Sequence, residues 1–181
     1  MMRSYCSTLV AVAAMASLGA CSSATTQGAA HNNRAIATGS GVRQTDATQT
    51  SDATTVNTPP AAMMSGLSAA YADLGIEVKL WNPQTGEVGN RNFTKMYRLA
   101  GRPVSDYLGC GTTTTGQAAD NYRITMSLAS RVTPNGSGSK VETTLTAYAE
   151  DISSSKGTLS CLTLGTLEQR LQQLALRHVG V

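Results

Sequence analysis

Cysteine is the residue type whose placement in this chain could support chemistry. Its four cysteines, Cys6, Cys21, Cys110 and Cys161, are accompanied by only two histidines in 181 residues. A thiol can carry a lipid or form a disulfide, whereas metal binding needs further ligands and nucleophilic catalysis needs an activating base. The segment around each cysteine therefore decides which role it can take.

The first 20 residues have the three-part form of a secretory signal. Arg3 supplies a positive charge, residues 8–18 are rich in Ala, Val, Leu and Met, and two small residues precede Cys21. The apolar stretch has about 11 residues, too few for a membrane-spanning helix, which needs roughly 20. We therefore expect residues 1–20 to be a signal peptide that is removed.

The run Leu18-Gly19-Ala20-Cys21 resembles the lipobox of bacterial lipoproteins. The resemblance implies that Cys21 becomes the mature N-terminus and carries acyl chains such as palmitate, which hold the protein on a membrane. Ser22 follows, whereas an Asp at that place resembles an inner-membrane retention signal of proteobacterial lipoproteins. The periplasmic face of the outer membrane is therefore expected rather than the inner membrane. An ordinary secretory signal that is cut elsewhere is the alternative.

Residues 21–60 are expected to be the lipidated cysteine and its tether. They are rich in Ser, Thr, Ala, Gly, Gln and Asn, and they carry almost no large apolar side chains. Such a segment buries too little surface to offset its conformational entropy, so we expect disorder. As a flexible coil of about 38 residues it would reach roughly 35 Å. Pro59 and Pro60 end it, and residues 61–181 are expected to form a single domain.

Cys110 and Cys161 are the cysteines of that domain. A chain bound for an oxidising compartment can form disulfides, and two cysteines without nearby His or Cys make a poor zinc set. A catalytic thiol would need a base, and His178 is the only histidine of the domain. We therefore predict a Cys110–Cys161 disulfide, which closes a loop of about 50 residues and contributes roughly 4 kcal/mol.

The spacing of apolar residues in residues 61–181 predicts an α+β fold. In this fold an antiparallel sheet of four to five strands has an N-terminal and a C-terminal helix packed on one face. Helical spacing of apolar residues covers 61–74 and the segment from Thr166 to residue 180, and Thr166 with Gln169 fits a capping box. Residues 105–121 are irregular, with a short helical turn expected at 118–120. Strands are predicted at 75–81, 91–99 (where the alternation is mixed), 122–132, 141–152 and 158–162, with a hairpin turn at 134–138.

The order of these elements looks like the helix-grip arrangement of some envelope lipoproteins, including an accessory lipoprotein of the barrel-assembly machinery. The likeness rests on element order, and no sequence motif accompanies it. It therefore implies an arrangement of sheet and helices and no function.

The sequence contains no recognisable catalytic set. It has no Gly-x-Ser-x-Gly elbow, and the glycines of the irregular segment lack the Gly-Lys-Ser/Thr of a phosphate loop. Glu150 and Asp151 are adjacent on a strand, where neighbouring side chains point to opposite faces. His178 lies in the last turn of a helix, where the helix dipole favours a cation. We expect no catalytic residue, metal or cofactor, and the interspersed charges that sum to +3 argue against nucleic-acid binding.

Four side chains are candidates for binding a partner: Trp81, Lys95, Arg98 and Arg102. Trp81 alternates off the apolar face of its predicted strand, where an indole can anchor a partner or cover the rim of the core. The three cations lie on or after the second predicted strand. They could contact acidic headgroups or glycan phosphates, or form a solvated strand face.

Taken together, these features predict a lipid-anchored envelope protein whose domain binds a protein, lipid or glycan partner without catalysis. The alternative is an enzyme or a small-ligand carrier with a pocket between sheet and helices near residues 105–121. That alternative is motivated by the length and glycine content of the loop, because functional sites favour such loops.

Overall fold

The structure, a computed structural model, describes residues 51–153 and 157–181. The predicted signal peptide, the lipobox with Cys21 and the predicted tether up to residue 50 lie outside the described residues. The described part contains the helices α1 (Pro60–Asp73), α2 (Ala118–Asn121) and α3 (Thr166–His178), and a 3₁₀ turn at Val104–Asp106.

Seven strands of the described part form one antiparallel sheet. The strands in chain order are β1 (Ser51–Val56), β2 (Leu80–Asn82), β3 (Glu87–Lys95), β4 (Arg98–Leu99), β5 (Arg102–Pro103), β6 (Leu108–Gly109), β7 (Thr112–Thr113), β8 (Gly116–Gln117), β9 (Arg123–Asn135), β10 (Gly138–Glu150) and β11 (Thr158–Thr163). The sheet order is β2-β3-β9-β10-β11-β6, and β1 pairs with β10. β4 with β5 and β7 with β8 form separate small hairpins. The α+β class and the antiparallel sheet are confirmed, with seven strands instead of four to five.

The hairpin of β9 and β10 forms the centre of this sheet. Each strand has 13 residues, and the two pair along their full length around the two-residue loop 136–137. Ile124, Met126 and Leu128 are buried, and the residues between them are half-buried. The alternation and the Asn135-Gly136 turn that predict this hairpin are therefore confirmed.

A bulge interrupts β3 and shortens its neighbour β2. β3 begins at Glu87, earlier than predicted, and its register against β9 shifts between Asn90 and Phe93. One extra residue at this point breaks the alternation, which explains the mixed pattern in the sequence. The Asn90 side-chain amide donates to the Glu77 carbonyl oxygen at 2.8 Å. Glu77 thus bonds to a side chain of β3 where main-chain strand pairing was expected. The predicted strand at 75–81 is accordingly reduced to β2.

One face of the sheet is covered by α1 and α3, as predicted, and we call it the covered face. α1 contacts β3, β9 and β10, and α3 contacts β10. The helices also pack on each other at Gly66, where an added Cβ would lie 2.7 Å from Val179 Cγ1 and 2.8 Å from the Ala175 carbonyl oxygen. The absence of a side chain at Gly66 therefore sets how closely the two helices approach. Fully buried side chains come from both layers, among them Met63, Leu67, Tyr71, Leu128, Leu167 and Leu171.

A buried chain of hydroxyl groups crosses the interface between α1 and the sheet. Tyr71 donates to the Leu128 carbonyl oxygen at 3.3 Å and lies 3.2 Å from Ser130 Oγ, which is 2.9 Å from Thr143 Oγ1. Burial raises the pKa of Tyr71 because its phenolate would lose hydration. At Gly89 an added Cβ would lie 2.4 Å from the Leu128 carbonyl oxygen and 3.1 Å from the Tyr71 hydroxyl. The missing side chain at Gly89 therefore leaves room for the tyrosine.

The boundary between tether and domain differs from the predicted one. Residues 51–56, which the sequence places in the tether, form β1 and pair with residues 139–144 of β10. Val56 is buried, and Thr54 Oγ1 donates to Gln172 Oε1 of α3 at 3.1 Å. Main-chain pairing with the edge of β10 supplies the stabilisation that few apolar side chains could provide here. The folded domain therefore includes residues 51–60.

The start of α3 also differs from its prediction. Gly165 precedes the helix with φ of 76°, and the Gln169 amide donates to its carbonyl oxygen at 3.1 Å. The Thr166 hydroxyl donates to the Asp106 carbonyl oxygen at 2.6 Å instead of capping the helix. The capping box of Thr166 and Gln169 is therefore wrong, because a long-range partner takes the hydroxyl that a local cap would use.

Candidate functional site

Cys110 and Cys161 form a disulfide, with an S–S distance of 2.08 Å and Cα atoms 4.3 Å apart. Cys161 pairs with Ala147 in the β10–β11 ladder, and both of these residues are buried on the covered face. Cys110 follows β6. The predicted disulfide is confirmed, and it ties the irregular segment to β11. In the structure this segment begins earlier than predicted and covers residues 96–121. Neither sulfur is available as a thiolate ligand or nucleophile while the bond is intact.

Polar contacts fix the irregular segment at several points. Asp120 accepts from the Ser105 amide at 2.9 Å and from the Ser105 hydroxyl at 2.6 Å. Arg170 of α3 donates to the Tyr107 hydroxyl at 2.5 Å, and the Leu164 amide donates to the Tyr107 carbonyl oxygen at 2.9 Å. These bonds connect the segment to itself and to the start of α3.

The region predicted as a possible pocket, residues 105–121, is packed against the core near both ends, whereas residues 111–117 are largely exposed. Tyr107 is 1% exposed, and Leu108, Ala118 and Ala119 are buried as well. The short helical turn expected at 118–120 is confirmed as α2. Apolar side chains therefore occupy the space beside Tyr107.

Trp81 and Lys95, two of the four candidate partner-binding residues, lie on β2 and at the end of β3. The Trp81 side chain is 49% exposed, as its alternation predicts. Lys95 Nζ donates to the Gly75 carbonyl oxygen at 3.0 Å. The ammonium group thus stabilises the turn after α1.

Arg98 and Arg102, the other two candidates, share the small β4–β5 hairpin. Arg98 donates to the Gly101 carbonyl oxygen at 3.1 Å, and Arg102 Nε lies 2.7 Å from Asp106 Oδ2. Both guanidinium groups are exposed and have partners in the same segment. The cations predicted as one basic cluster are therefore each engaged by a neighbour.

Two shallow clefts lie on either side of residues 75–78. The first, of about 390 Å³, separates this segment from the β3 bulge and is lined by polar side chains that include Glu77, Lys79 and Asn92. The second, of about 410 Å³, lies between the same segment and α1. Neither cleft includes a residue of 105–121.

His178 contacts an acidic partner on the first helix. Its Nε2 lies 2.8 Å from Asp73 Oδ2, so the C-terminal ends of α1 and α3 are joined by a half-exposed pair. This contact agrees with the structural role expected for His178. In residues 51–153 and 157–181 no three His, Cys, Asp or Glu side chains lie close enough to hold a metal ion.

The opposite face of the sheet, which we call the open face, carries mainly short hydroxyl side chains. Thr125 pairs with Tyr148 and Ser127 pairs with Thr146 across β9 and β10. Thr125, Ser127 and Thr146 are half-buried, whereas the Tyr148 side chain is exposed. The open face is therefore polar at its centre, where Tyr148 is the exposed aromatic side chain.

Ion pairs flank this hydroxyl surface. Arg123 lies 3.0 Å from Glu150 at one end of the hairpin, and Lys140 lies 2.6 Å from Glu142 near the other. The hydrogen bond and the positive charge of Lys140 hold the pKa of Glu142 below its usual value. Both pairs are exposed, so they neutralise the surface more than they stabilise it.

Four apolar side chains are exposed at the corner where β10, β11 and β6 meet, and we call them the apolar corner. They are Tyr148, Leu159, Leu162 and Leu164, at 49%, 42%, 47% and 46% exposure. Tyr148 pairs with Ser160, Leu159 with Ala149 and Leu162 with Gly109. A Cβ placed on Gly109 would lie 4.0 Å from Leu164 Cδ2, so Leu164 extends over that glycine.

The apolar corner was not predicted from the sequence. Leu159 and Leu162 are an odd number of positions apart, so they fall on opposite faces of β11. Each leucine alone is compatible with a core position. Leucines on both faces of a short strand are the signal that could have indicated the corner. In a sheet that has a covering layer on one face only, both leucines cannot be core residues.

Comparison of the chain with protein-family models, curated proteins and solved structures gives no match. The lipoprotein resemblance therefore rests on residues 18–21, and the helix-grip likeness rests on element order. Within the described ranges no helix combines the length and the apolar character needed to cross a bilayer.

Proposed function

We propose that this protein is a lipid-anchored protein of the cell envelope, held by acyl chains on Cys21, whose domain is a non-catalytic binding module. The observation that carries the proposal is the run Leu18-Gly19-Ala20-Cys21 at the end of an apolar stretch of signal length. The absence of an Asp after Cys21 favours the periplasmic face of the outer membrane. The residues between Cys21 and β1 would separate the domain from the lipid anchor.

The disulfide supports the export step of this proposal. Disulfides persist in secreted and periplasmic proteins and are rare in the reducing cytosol. Cys110 and Cys161 are buried and joined inside the domain. A chain that folds with this bond is suited to the oxidising side of a membrane.

Three groups that could take part in catalysis have structural partners in the domain. Cys110 is part of the disulfide, Asp120 is bonded to Ser105, and His178 is paired with Asp73. Each of these groups has a structural partner instead of a free position in a cleft. No observation in the described residues favours the enzyme or ligand-carrier alternative near residues 105–121.

Metabolic labelling with an alkyne analogue of palmitate in a bacterial host tests the anchor. We expect wild-type protein and the Cys6→Ala variant to be labelled and to fractionate with membranes, because Cys6 lies in the removed segment. The Cys21→Ala variant is expected to be unlabelled and released from the membrane. Label retained by Cys21→Ala would contradict the proposal.

In-cell crosslinking tests the binding role. The lipidated protein is expected to give the same envelope crosslinks in repeated experiments, and Cys21→Ala is expected to lose those that depend on the membrane location. Repeated recovery of no crosslinked envelope component would count against a binding module, whatever the result for lipidation.

A further inference from the structure

Exposed apolar side chains are concentrated in one region of the domain. Eight large apolar residues of the described part are exposed, and five of them lie between residues 148 and 164. Single exposed leucines are common on soluble proteins, but a group of them marks an interaction surface. The apolar corner accounts for four of the five. Tyr148 and Leu162 share the open face of the sheet, whereas Leu159 pairs with Ala149 and lies on the other face of β11.

The apolar corner carries no charge of its own. β11 reads Thr-Leu-Ser-Cys-Leu-Thr. The nearest ion pair on the open face, Arg123 with Glu150, is balanced. Nothing in the corner would select a strongly charged partner, and contact with an apolar phase or an apolar surface is the interaction that it favours.

The chain enters the domain beside this corner. Ser51 pairs with Thr144 of β10, and Cys161 pairs with Ala147 on the same side of β10. The register therefore brings the first residue of β1 next to the end of β11 that bears Leu162. The first described residue, Ser51, therefore lies at the apolar corner.

We propose that the apolar corner docks on the surface of the lipid bilayer to which Cys21 is anchored, with Leu162, Leu164 and the ring of Tyr148 entering the interface. This inference rests on the proposed lipid anchor. The 29 residues between Cys21 and Ser51, taken as a flexible tether, would span roughly 30 Å. Such a tether gives an effective concentration in the millimolar range, so weak intrinsic affinity is sufficient. Tyrosine suits this position because its hydroxyl stays at the headgroup level.

To test this docking, the protein is attached to lipid vesicles chemically, so the test does not depend on lipidation in cells. In the mature chain, residues 21–181, Cys110 and Cys161 are paired and Cys21 remains as the thiol for coupling. Cys21 can therefore be joined to a maleimide lipid in phosphatidylcholine vesicles. Flotation of the vesicles then shows that the protein is attached.

Quenching of tryptophan fluorescence by brominated phosphatidylcholine reports docking. Trp81, the single tryptophan, lies on β2 at the opposite edge of the sheet and is expected to show little quenching. A variant with Trp81→Phe and Tyr148→Trp moves the fluorophore to the corner and is expected to show strong quenching. Because the corner is uncharged, the quenching is expected to persist at 1 M NaCl.

Removal of the leucines provides the matched comparison. Leu162→Ser with Leu164→Ser, added to the corner tryptophan variant, is expected to lower the ratio of docked to undocked protein at least about tenfold, since burial of a leucine is worth roughly that factor or more. Tyr97→Ser removes a side chain of 59% exposure in the irregular segment and is expected to leave docking unchanged. Far-UV circular dichroism checks that each variant is folded.

The outcomes separate this inference from the proposed function. Attached protein whose corner tryptophan is unquenched would overturn the docking inference and leave the anchor untouched. If the coupled protein is quenched but palmitate labelling fails in cells, docking of the apolar corner would be supported and the cellular anchor would be refuted. A soluble dimer in sedimentation that Leu162→Ser dissociates would assign the corner to self-association and overturn docking on lipid.

Discussion

The covered and open faces of the β9–β10 hairpin are built from alternating residues of the same two strands, yet their environments differ. On the covered face Leu128 is fully buried, and even the polar Ser130 has a buried partner in Tyr71. On the open face Ser127 and Thr146 are half-buried and face each other across the strands. Side chains one position apart thus belong either to the core or to the surface.

This difference indicates which parts of the domain determine its stability and which remain free for interactions. Apolar burial contributes roughly 25 cal/mol per Å², and the helices and the irregular segment supply it on the covered face only. Short hydroxyl side chains on the open face gain little from folding. Substitutions on the open face can therefore change what the protein contacts without unfolding it.

Removal of the disulfide is the largest expected change on the covered face. The bond closes a separation of 51 residues, so Cys110→Ser with Cys161→Ser should reduce the free energy of unfolding by about 4 kcal/mol on the chain-entropy model. Urea denaturation measures this loss. Amide hydrogen exchange should accelerate first in residues 104–121, because that segment loses its covalent link to β11. Unchanged unfolding in urea would show that the non-covalent contacts of the segment suffice.

Truncation of neighbouring residues on β9 compares the two faces most directly. Leu128→Ala removes a side chain of 0% exposure and should cost about 3 kcal/mol through lost burial and a cavity. Ser127→Ala, one residue earlier on the open face, should change the free energy of unfolding by less than about 0.5 kcal/mol. Thermal and urea unfolding of both variants measure the difference. Equal effects would mean that the open face is covered by something other than water.

The long hairpin could be predicted from the sequence because burial of one face both stabilises it and produces the alternation of apolar and polar residues. One buried face forces a period of two, and Asn135-Gly136 favours a tight turn. The disulfide could be predicted because few cysteines remained in the domain. The helices at 60–73 and 166–178 were close to their predicted limits for the same reason as the hairpin, since each buries an apolar stripe.

The features that escaped prediction depend on contacts distant in sequence. β1 is held by main-chain bonds to β10, and these leave no apolar signature. The bulge between Asn90 and Phe93 shifts the period within one strand. The Thr166 hydroxyl bonds to the Asp106 carbonyl oxygen, 60 residues away, so local capping rules do not apply. The exposure of Leu162 depends on the neighbouring strand carrying Gly109, which a one-dimensional pattern does not show.

The two tyrosines Tyr71 and Tyr148 provide a smaller test of the same comparison. Tyr71→Phe removes a buried hydroxyl that bonds to Leu128 and contacts Ser130, and it should cost about 1–2 kcal/mol because the partners lose a bond in a dry site. Tyr148→Phe on the open face should be near neutral, since this side chain is exposed. Chemical denaturation at neutral pH measures both. A neutral Tyr71→Phe would mean that Ser130 and Thr143 satisfy each other without the phenol.

The Lys140–Glu142 pair on the open face should have the smallest effect, and its effect should depend on pH. Because Lys140 holds the pKa of Glu142 below its usual value, the pair contributes stability above the pKa of the unfolded chain. That contribution is lost as the pH falls through the lower, folded pKa. Lys140→Gln should raise the carboxyl pKa of Glu142 and flatten the acid side of the stability profile slightly, whereas Lys140→Arg should preserve both. Carboxyl ¹³C NMR titration measures the pKa, and an unchanged titration in Lys140→Gln would show that solvent screens this exposed pair completely.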